Sequence, residues 1–445
     1  MRFRGLLTGV VLLAALAVGL YVSNKREAAN ASKPKADEPP KLISINSSEI
    51  TKIDLKKKDG TETVLERKGE GNWALTAPKA YPADQDSANS LATTAGAVIS
   101  DRVVEDKASN LGTYGLQSPS LEADVTKKDG KVSKLLIGDD TPTNSGSYAM
   151  VQGDPRVFTV ASYVKSGLDK SVNDLRDKRL LTFDQDKVSR VELDAKKQSI
   201  EFGRDKDRWQ IVKPRPLRAE NTQVDDLLRK VKDAKMDLAV SDEDAKKTAS
   251  AFASGTPVAT VKVTDPSGTQ IIEIHRNKDD YYAKSNIVDG VHKVTNDVGV
   301  AVDKSLDDFR TKKLFDFGFM EPGKIDVHIS GKAYNFQKGG DDWFSNGKKM
   351  DNISVQSLLD KLRDLSASNF ADNATFGAQM ADLTATSSDG KRVEKVLISK
   401  QGNDYIAKRE NEPALYMLDA KTVDDLSKAA SDVKEAQPQA NAKKK

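Results

Sequence analysis

Three tryptophans, Trp73, Trp209 and Trp343, mark the chain at near-equal intervals. Each is approached by the same kind of sequence. Glu49-Ile50-Thr51-Lys52-Ile53-Asp54-Leu55 leads to Trp73, Lys187-Val188-Ser189-Arg190-Val191-Glu192-Leu193 to Trp209, and Pro322-Gly323-Lys324-Ile325-Asp326-Val327 to Trp343. Apolar and polar residues alternate in these openings, the period-2 pattern of a half-buried strand. A second strand-like run follows, as in Ser199-Ile200-Glu201-Phe202 and Ala333-Tyr334-Asn335-Phe336, so each pair reads as a hairpin. A repeat this long demands copies of one module large enough to own a core. It excludes a solenoid, whose units run about 20–50 residues.

A helix is expected after each tryptophan. Ala88, Leu91, Ala92, Ala95 and Ile99 fall on one helical face, as do Val224, Leu227, Leu228 and Val231, and Val355, Leu358, Leu359, Leu362 and Leu365. Leu91 and Leu227 follow their tryptophans at the same spacing, and Leu358 follows Trp343 at a slightly shorter one. Asp84, Thr222 and Asn352 are the expected N-caps, with Thr222 and Asp225 as a capping box. A later hairpin is expected at Asp129-Gly130, Ser267-Gly268 and Asp389-Gly390. Tyr148-Ala149 recurs as Tyr282-Ala283 and, more loosely, as Tyr405-Ile406-Ala407.

The closing segment repeats most closely. Asp174-Leu175-Arg176-Asp177-Lys178-Arg179-Leu180-Leu181-Thr182-Phe183 aligns without gaps with Asp308-Phe309-Arg310-Thr311-Lys312-Lys313-Leu314-Phe315-Asp316-Phe317. The third block keeps only Asp425-Leu426, as a connector would where no repeat follows. The expected fold is α+β: three tandem repeats of mixed, mainly antiparallel strands with helices, behind an N-terminal transmembrane helix. The expected divisions are an anchor at 1–24, a flexible linker at 25–41, modules at 42–184, 185–319 and 320–430, the last shortened, and a disordered tail at 431–445.

Leu6–Val22 carries no charged side chain. As a helix it spans roughly 26 Å, just short of a ~30 Å hydrocarbon core. Arg2, Arg4, Lys25 and Arg26 flank it and can snorkel to the interfaces. An uncleaved signal anchor is expected, with the bulk of the chain on the periplasmic side of a bacterial inner membrane. A cleaved signal peptide is the alternative, because Ala15-Leu16-Ala17 resembles a processing site. The 445 residues include no cysteine, so there is no lipid-bearing thiol, disulfide or thiolate metal site.

The net charge of +3 divides unevenly. Met1–Arg26 carries +4, Lys443–Lys445 carries +3, and everything between carries −4. The positive balance therefore gives no reason to expect nucleic acid, whose partners display basic patches.

The repeated openings, the tryptophan and the Asp-Leu-Arg-x-Lys-Arg-Leu junction resemble the bacterial family of unknown function DUF4340, over roughly residues 42–430. That resemblance implies a membrane-anchored companion of ABC-type transport systems related to gliding-motility exporters. It implies no catalytic residue.

The residues themselves point to no site: no catalytic, cofactor-binding or metal-ligating set is expected. His275, His292 and His328 are read as ordinary surface or strand histidines rather than ligands, His275 and His328 sitting in strand-like runs. Asp84-Gln85-Asp86 and Asp205-Lys206-Asp207 match a loose D-x-D pattern but fall where caps and turns are expected. Asp139-Asp140, Asp225-Asp226, Asp279-Asp280 and Asp341-Asp342 are read the same way. The tryptophans are expected in the module cores rather than as stacking platforms. Arg176-Asp177-Lys178-Arg179 and Arg310-Thr311-Lys312-Lys313 are expected to be solvated helix ends, cations against the negative dipole. The leading expectation is a non-enzymatic accessory or scaffold protein with ABC-type transporter subunits as partners. The alternatives are a periplasmic glycan- or peptide-binding module, with grooves between repeats, and more remotely a carboxylate-based hydrolase.

Overall fold

The computed structural model describes residues 39–69, 71–237 and 242–437. The expected anchor, residues 25–38 of the linker and residues 438–445 of the tail lie outside them. Contacts divide the chain into two compact units, one ending at Lys178 and one beginning at Arg179.

In the first unit, β1 (Lys41–Ser44), β2 (Ile50–Lys57), β3 (Glu62–Lys68), β4 (Asn72–Ala77) and β5 (Tyr81–Pro82) precede helix α1 (Gln85–Gly96). Then come β6 (Ala97–Ile99), β7 (Arg102–Glu105), β8 (Leu121–Lys127), β9 (Val132–Asp140), β10 (Gly146–Val151) and β11 (Val157–Ala161). Short helices α2 (Ser162–Leu168) and α3 (Val172–Leu175) close the unit. The main sheet runs β5-β4-β3-β2-β8-β9-β10-β11-β7, antiparallel throughout. Alternation along the strands buries Ile53 and Leu55, Ala123 and Val125, and Leu135 and Ile137 against Leu91, Ala92 and Ala95 of α1. Each large apolar side chain so buried contributes about 1.5–3 kcal/mol. The other face carries cross-strand ion pairs, such as Lys134 with Glu122 and Asp124 at 3.3 and 3.2 Å.

The second unit holds two sheets of the same plan. The earlier comprises β12 (Arg190–Ala195), β13 (Gln198–Asp205), β14 (Arg208–Lys213), β15 (Leu217–Arg218), β16 (Thr256–Asp265), β17 (Gly268–Asn277), β18 (Asp280–Ser285) and β19 (Val291–Val294), in the order β15-β14-β13-β12-β16-β17-β18-β19. Its helices are α4 (Asn221–Lys232), α5 (Asp242–Ser254) and α6 (Asn296–Val302). The later sheet uses β20 (Pro322–Ile329), β21 (Lys332–Gly339), β22 (Asp342–Ser345), β23 (Lys348–Lys349), β24 (Asn369–Phe370), β25 (Gln379–Ser387), β26 (Val393–Gln401), β27 (Asp404–Arg409) and β28 (Leu415–Leu418). Its order is β23-β22-β21-β20-β25-β26-β27-β28-β24, with α7 (Asn352–Arg363) and α8 (Ala420–Ser431). The expected later hairpins are present as β8–β9, β16–β17 and β25–β26. The two later modules do not own separate cores: one continuous buried cluster runs from Leu180 to Ala430.

Backbone bonds define the joints more sharply than the sequence does. Asp84, Glu220 and Asp351, each just before a helix, donate to Leu175, Phe309 and Lys434 at 2.8, 2.7 and 2.9 Å. Two positions beyond those carbonyls, Asp177, Thr311 and Ala436 donate back to Pro82, Arg218 and Lys349 at 2.9, 3.2 and 2.9 Å. The chain also enters each module in one way. Lys41, Arg179 and Lys313 pair with Ile99, Lys235 and Ser366, each the third position after its helix. A module thus begins at a basic residue, Lys41, Arg179 or Lys313, and ends with an outgoing segment docked beside its own helix start.

These joints revise several expectations. The third module does have the outgoing segment: Lys434-Glu435 takes the place of Leu175-Arg176, and Met350 bridges Glu435 as Ala83 bridges Arg176. Asp425-Leu426 lies inside α8 instead, with Leu426 buried in the core. Residues 434–436, expected in a disordered tail, are fixed by those backbone bonds. Main-chain pairing needs no particular side chain, so composition does not mark it. Ile99 is not on the helix: the chain leaves α1 at Gly96 to pair with β1, and Ile99 is 43% exposed. The N-caps of α4 and α7 are Glu220 and Asp351 rather than Thr222 and Asn352. Capping boxes form instead at Ser171/Asp174 and Ser305/Asp308 in the closing segments.

Candidate functional site

The tryptophans are 2–3% exposed and pin each hairpin to its helix. The Trp209 backbone N–H donates to Asn221 Oδ1 at 2.7 Å, and its indole Nε1 donates to Asp225 Oδ1 at 2.9 Å. Trp73 repeats this with Gln85 and Asn89 at 2.8 and 3.0 Å. Both partners stand 12 and 16 residues after the tryptophan. Trp343 keeps the first bond, to Asn352 at 3.3 Å, only nine residues on. The same shortening brings Leu358 closer to its tryptophan. Arg67 lies over Trp73 and Arg204 over Trp209, at 4.3 and 5.4 Å from the ring centroids.

The other singled-out residues stay apart. His275 stacks on Phe252, His292 lies 3.0 Å from the Asp289 carbonyl, and His328 lies 3.0 Å from Asp382. Asp84 caps α1, and Asp205 and Asp207 flank Lys206 in the β13–β14 turn. Among the described residues no group of three metal-ligating side chains is placed to hold an ion. Asp54 is a carboxyl pushed above its ordinary range, by burial and then by nearby Glu62. It lies on a strand paired to Lys52, 3.6 Å away, not in a cleft.

The basic run of the second junction is only in part a solvated end: Lys312 and Lys313 are exposed, but Arg310 is not. Arg310 is 4% exposed. It makes a two-pronged contact with Asp372 at 2.7 and 3.0 Å and lies 3.7 Å above the Phe370 ring. Burial alone would raise the Asp372 pKa, but Arg310 and Arg215 hold it below the ordinary carboxylate range.

Beyond Arg310, the same segment forms one wall of a cavity of about 530 Å³ between the two sheets of the second unit. Trp209 and Arg208 of β14, Arg218 of β15, the start of α4, the end of α7 and the β27–β28 loop complete the lining. A charged network floors it. Arg218 Nη1 donates to both Asp316 oxygens at 2.9 and 3.0 Å, and Nη2 donates to the Lys313 carbonyl. Arg409 donates to Asp316 at 3.0 Å and to the Leu314 carbonyl at 3.1 Å. Glu412 pairs with Arg218 and Arg409 at 3.2 and 2.9 Å. Glu394, 4% exposed, accepts the Asp316 N–H at 2.5 Å. Burial alone would lower the Arg218 pKa, yet Tyr416, Asp316 and Glu412 together raise it. Opposed charges of this kind lock a segment in place, and the network holds 313–316 against the cavity floor. Sequence reasoning missed all five charged residues. The available signal was an internal difference: Asp316 stands where the first junction has Thr182.

The family's sequence profile, a domain of unknown function (DUF4340), matches residues 73–249 and again 209–385. The chain belongs to the DUF4340 family. Both matches open on a tryptophan, so the DUF4340 profile begins partway through one module and ends within the next. No curated protein and no solved structure matches the chain.

Proposed function

We propose that this DUF4340 protein is a non-enzymatic, single-pass membrane protein that serves as an accessory or scaffold component of an ABC-type transport complex. Its three modules lie on the periplasmic side of a bacterial inner membrane. The observation that carries this reading is Leu6–Val22, an uncharged run flanked by Arg2, Arg4, Lys25 and Arg26 and followed by a polar, proline-bearing stretch. Among the described residues no helix is long and apolar enough to cross a membrane; the run lies outside them. The resemblance to companions of ABC-type exporters supplies the class of partner. Co-purification from detergent-solubilised native membranes tests the reading, and recovery of the transporter's ATP-hydrolysing and membrane-spanning subunits is the expected result.

A second reading, a periplasmic glycan- or peptide-binding module, is favoured by the cavity between β14 and α7, which lies at a joint between repeats.

A further inference from the structure

Internal repetition supplies a reference for what the fold itself requires. At matching distances before the equivalent buried strand positions Ile53, Val191 and Ile325 stand Ser47-Ser48, Gln185-Asp186 and Phe319-Met320. Two copies carry polar residues there. The third carries two large apolar residues, 90% and 67% exposed. Lone exposed apolar residues are ordinary, but an adjacent exposed pair beside a cavity is where a partner's apolar side chain would gain cover. Phe319 lines the cavity, and the guanidinium of Arg363 lies 4.8 Å from its ring.

Charge at the same mouth is also particular to this joint. Just before each tryptophan stand Asn72, Arg208 and Asp342, so only the middle copy is basic. Arg208 and Lys313 line the cavity, are exposed, and have no ion-pair partner among the described residues. The lining acids Asp316 and Glu412 are held by Arg218 and Arg409. Asp364 lies 3.7 Å from Arg363. Glu220 also lines the cavity and is in no ion pair among the described residues.

We infer that this mouth docks a segment of a protein partner that carries acidic side chains beside a large apolar one. The apolar side chain covers Phe319 and Met320, and the carboxylates meet Arg208 and Lys313. A glycan fits less well. The Trp209 ring is 3% exposed and tied to Asp225, and the guanidinium of Arg363 lies over the Phe319 ring, where a sugar would have to stack.

This inference rests on the reading of the protein as a partner-binding component, without requiring that the partner be a transporter. The test uses the full chain in detergent micelles and fluorescence polarisation of a labelled peptide, Glu-Glu-Leu-Phe-Glu-Glu. Controls replace every Glu by Lys, or Leu and Phe by Ser, and include a muramyl-peptide fragment. Two independent double variants remove the two features: Arg208→Asn with Lys313→Gln, and Phe319→Ser with Met320→Ser. The Asn and Ser residues are those that stand at the matching positions of the first module. The expected result is saturable binding of the acidic peptide, about tenfold weaker in each double variant, with unchanged melting temperature. No saturable binding up to about 1 mM, equal binding by both variants, or equal binding of the Lys peptide or the muramyl fragment would overturn it. Peptide binding without co-purified transporter removes the transport reading alone, and co-purified transporter without peptide binding removes this inference alone.

Discussion

Trp209 is held by two bonds of different kinds, and they separate packing from polar satisfaction. Its indole fills the core beneath β14, while Asp225 accepts a hydrogen bond from the Nε1–H. Trp209→Ala leaves a large void and is expected to cost about 3–5 kcal/mol. Asp225→Asn keeps an acceptor oxygen in place and is expected to cost under about 1 kcal/mol. Urea unfolding of the full chain checks both. A Trp209→Ala protein with unchanged stability would return the residue to the role of a binding platform. The tryptophans are legible in the sequence because each closes a recurring strand-like opening at a near-equal interval. Arg218 and Asp316 are not. They stand 98 residues apart, and a contact at that separation leaves no local pattern.

At the level of elements, the outgoing and incoming segments join the modules, and their hydrogen bonds are mostly main-chain. Strands and helices are therefore legible from periodicity, whereas the third outgoing segment is not, because Lys434-Glu435 shares no side chain with Leu175-Arg176. The second junction adds the Arg310–Asp372 pair, and its pH dependence has a definite sign. Asp372 titrates below its ordinary value when folded, so its stabilising effect is present above the ordinary carboxylate range. It is lost as pH falls through the lowered value. Between about pH 5 and about pH 3 the native chain should lose more stability than Asp372→Asn, measured by urea midpoints. Asp372→Asn should itself cost about 2 kcal/mol near neutrality, less than a fully buried pair because Asp372 is 36% exposed. Parallel acid profiles for the two proteins would show that the pair is not the titrating element.

On the scale of the whole molecule, the regular spacing of the three tryptophans points to three modules, and three sheets share one order of eight strands, to which the first and third add an edge strand, β7 and β24. The sequence could not show that the second and third share a core, because apolar periodicity reports which face is buried and not what covers it. One buried cluster across both predicts that they unfold as a single cooperative unit. Leu227→Ala, about 3 kcal/mol by cavity formation, should speed hydrogen exchange in β20–β28 as well as β12–β19. Exchange in β2–β11, which belongs to the other core, should stay unchanged. Loss of protection confined to β12–β19 would show that the modules unfold separately. The proposed role is most directly tested by quantitative mass spectrometry of the native chain purified from gently solubilised bacterial membranes. The expected result is near-stoichiometric recovery of the ATP-hydrolysing and membrane-spanning subunits of an ABC-type transporter. Recovery of neither, under conditions that keep other inner-membrane transport complexes intact, would contradict it.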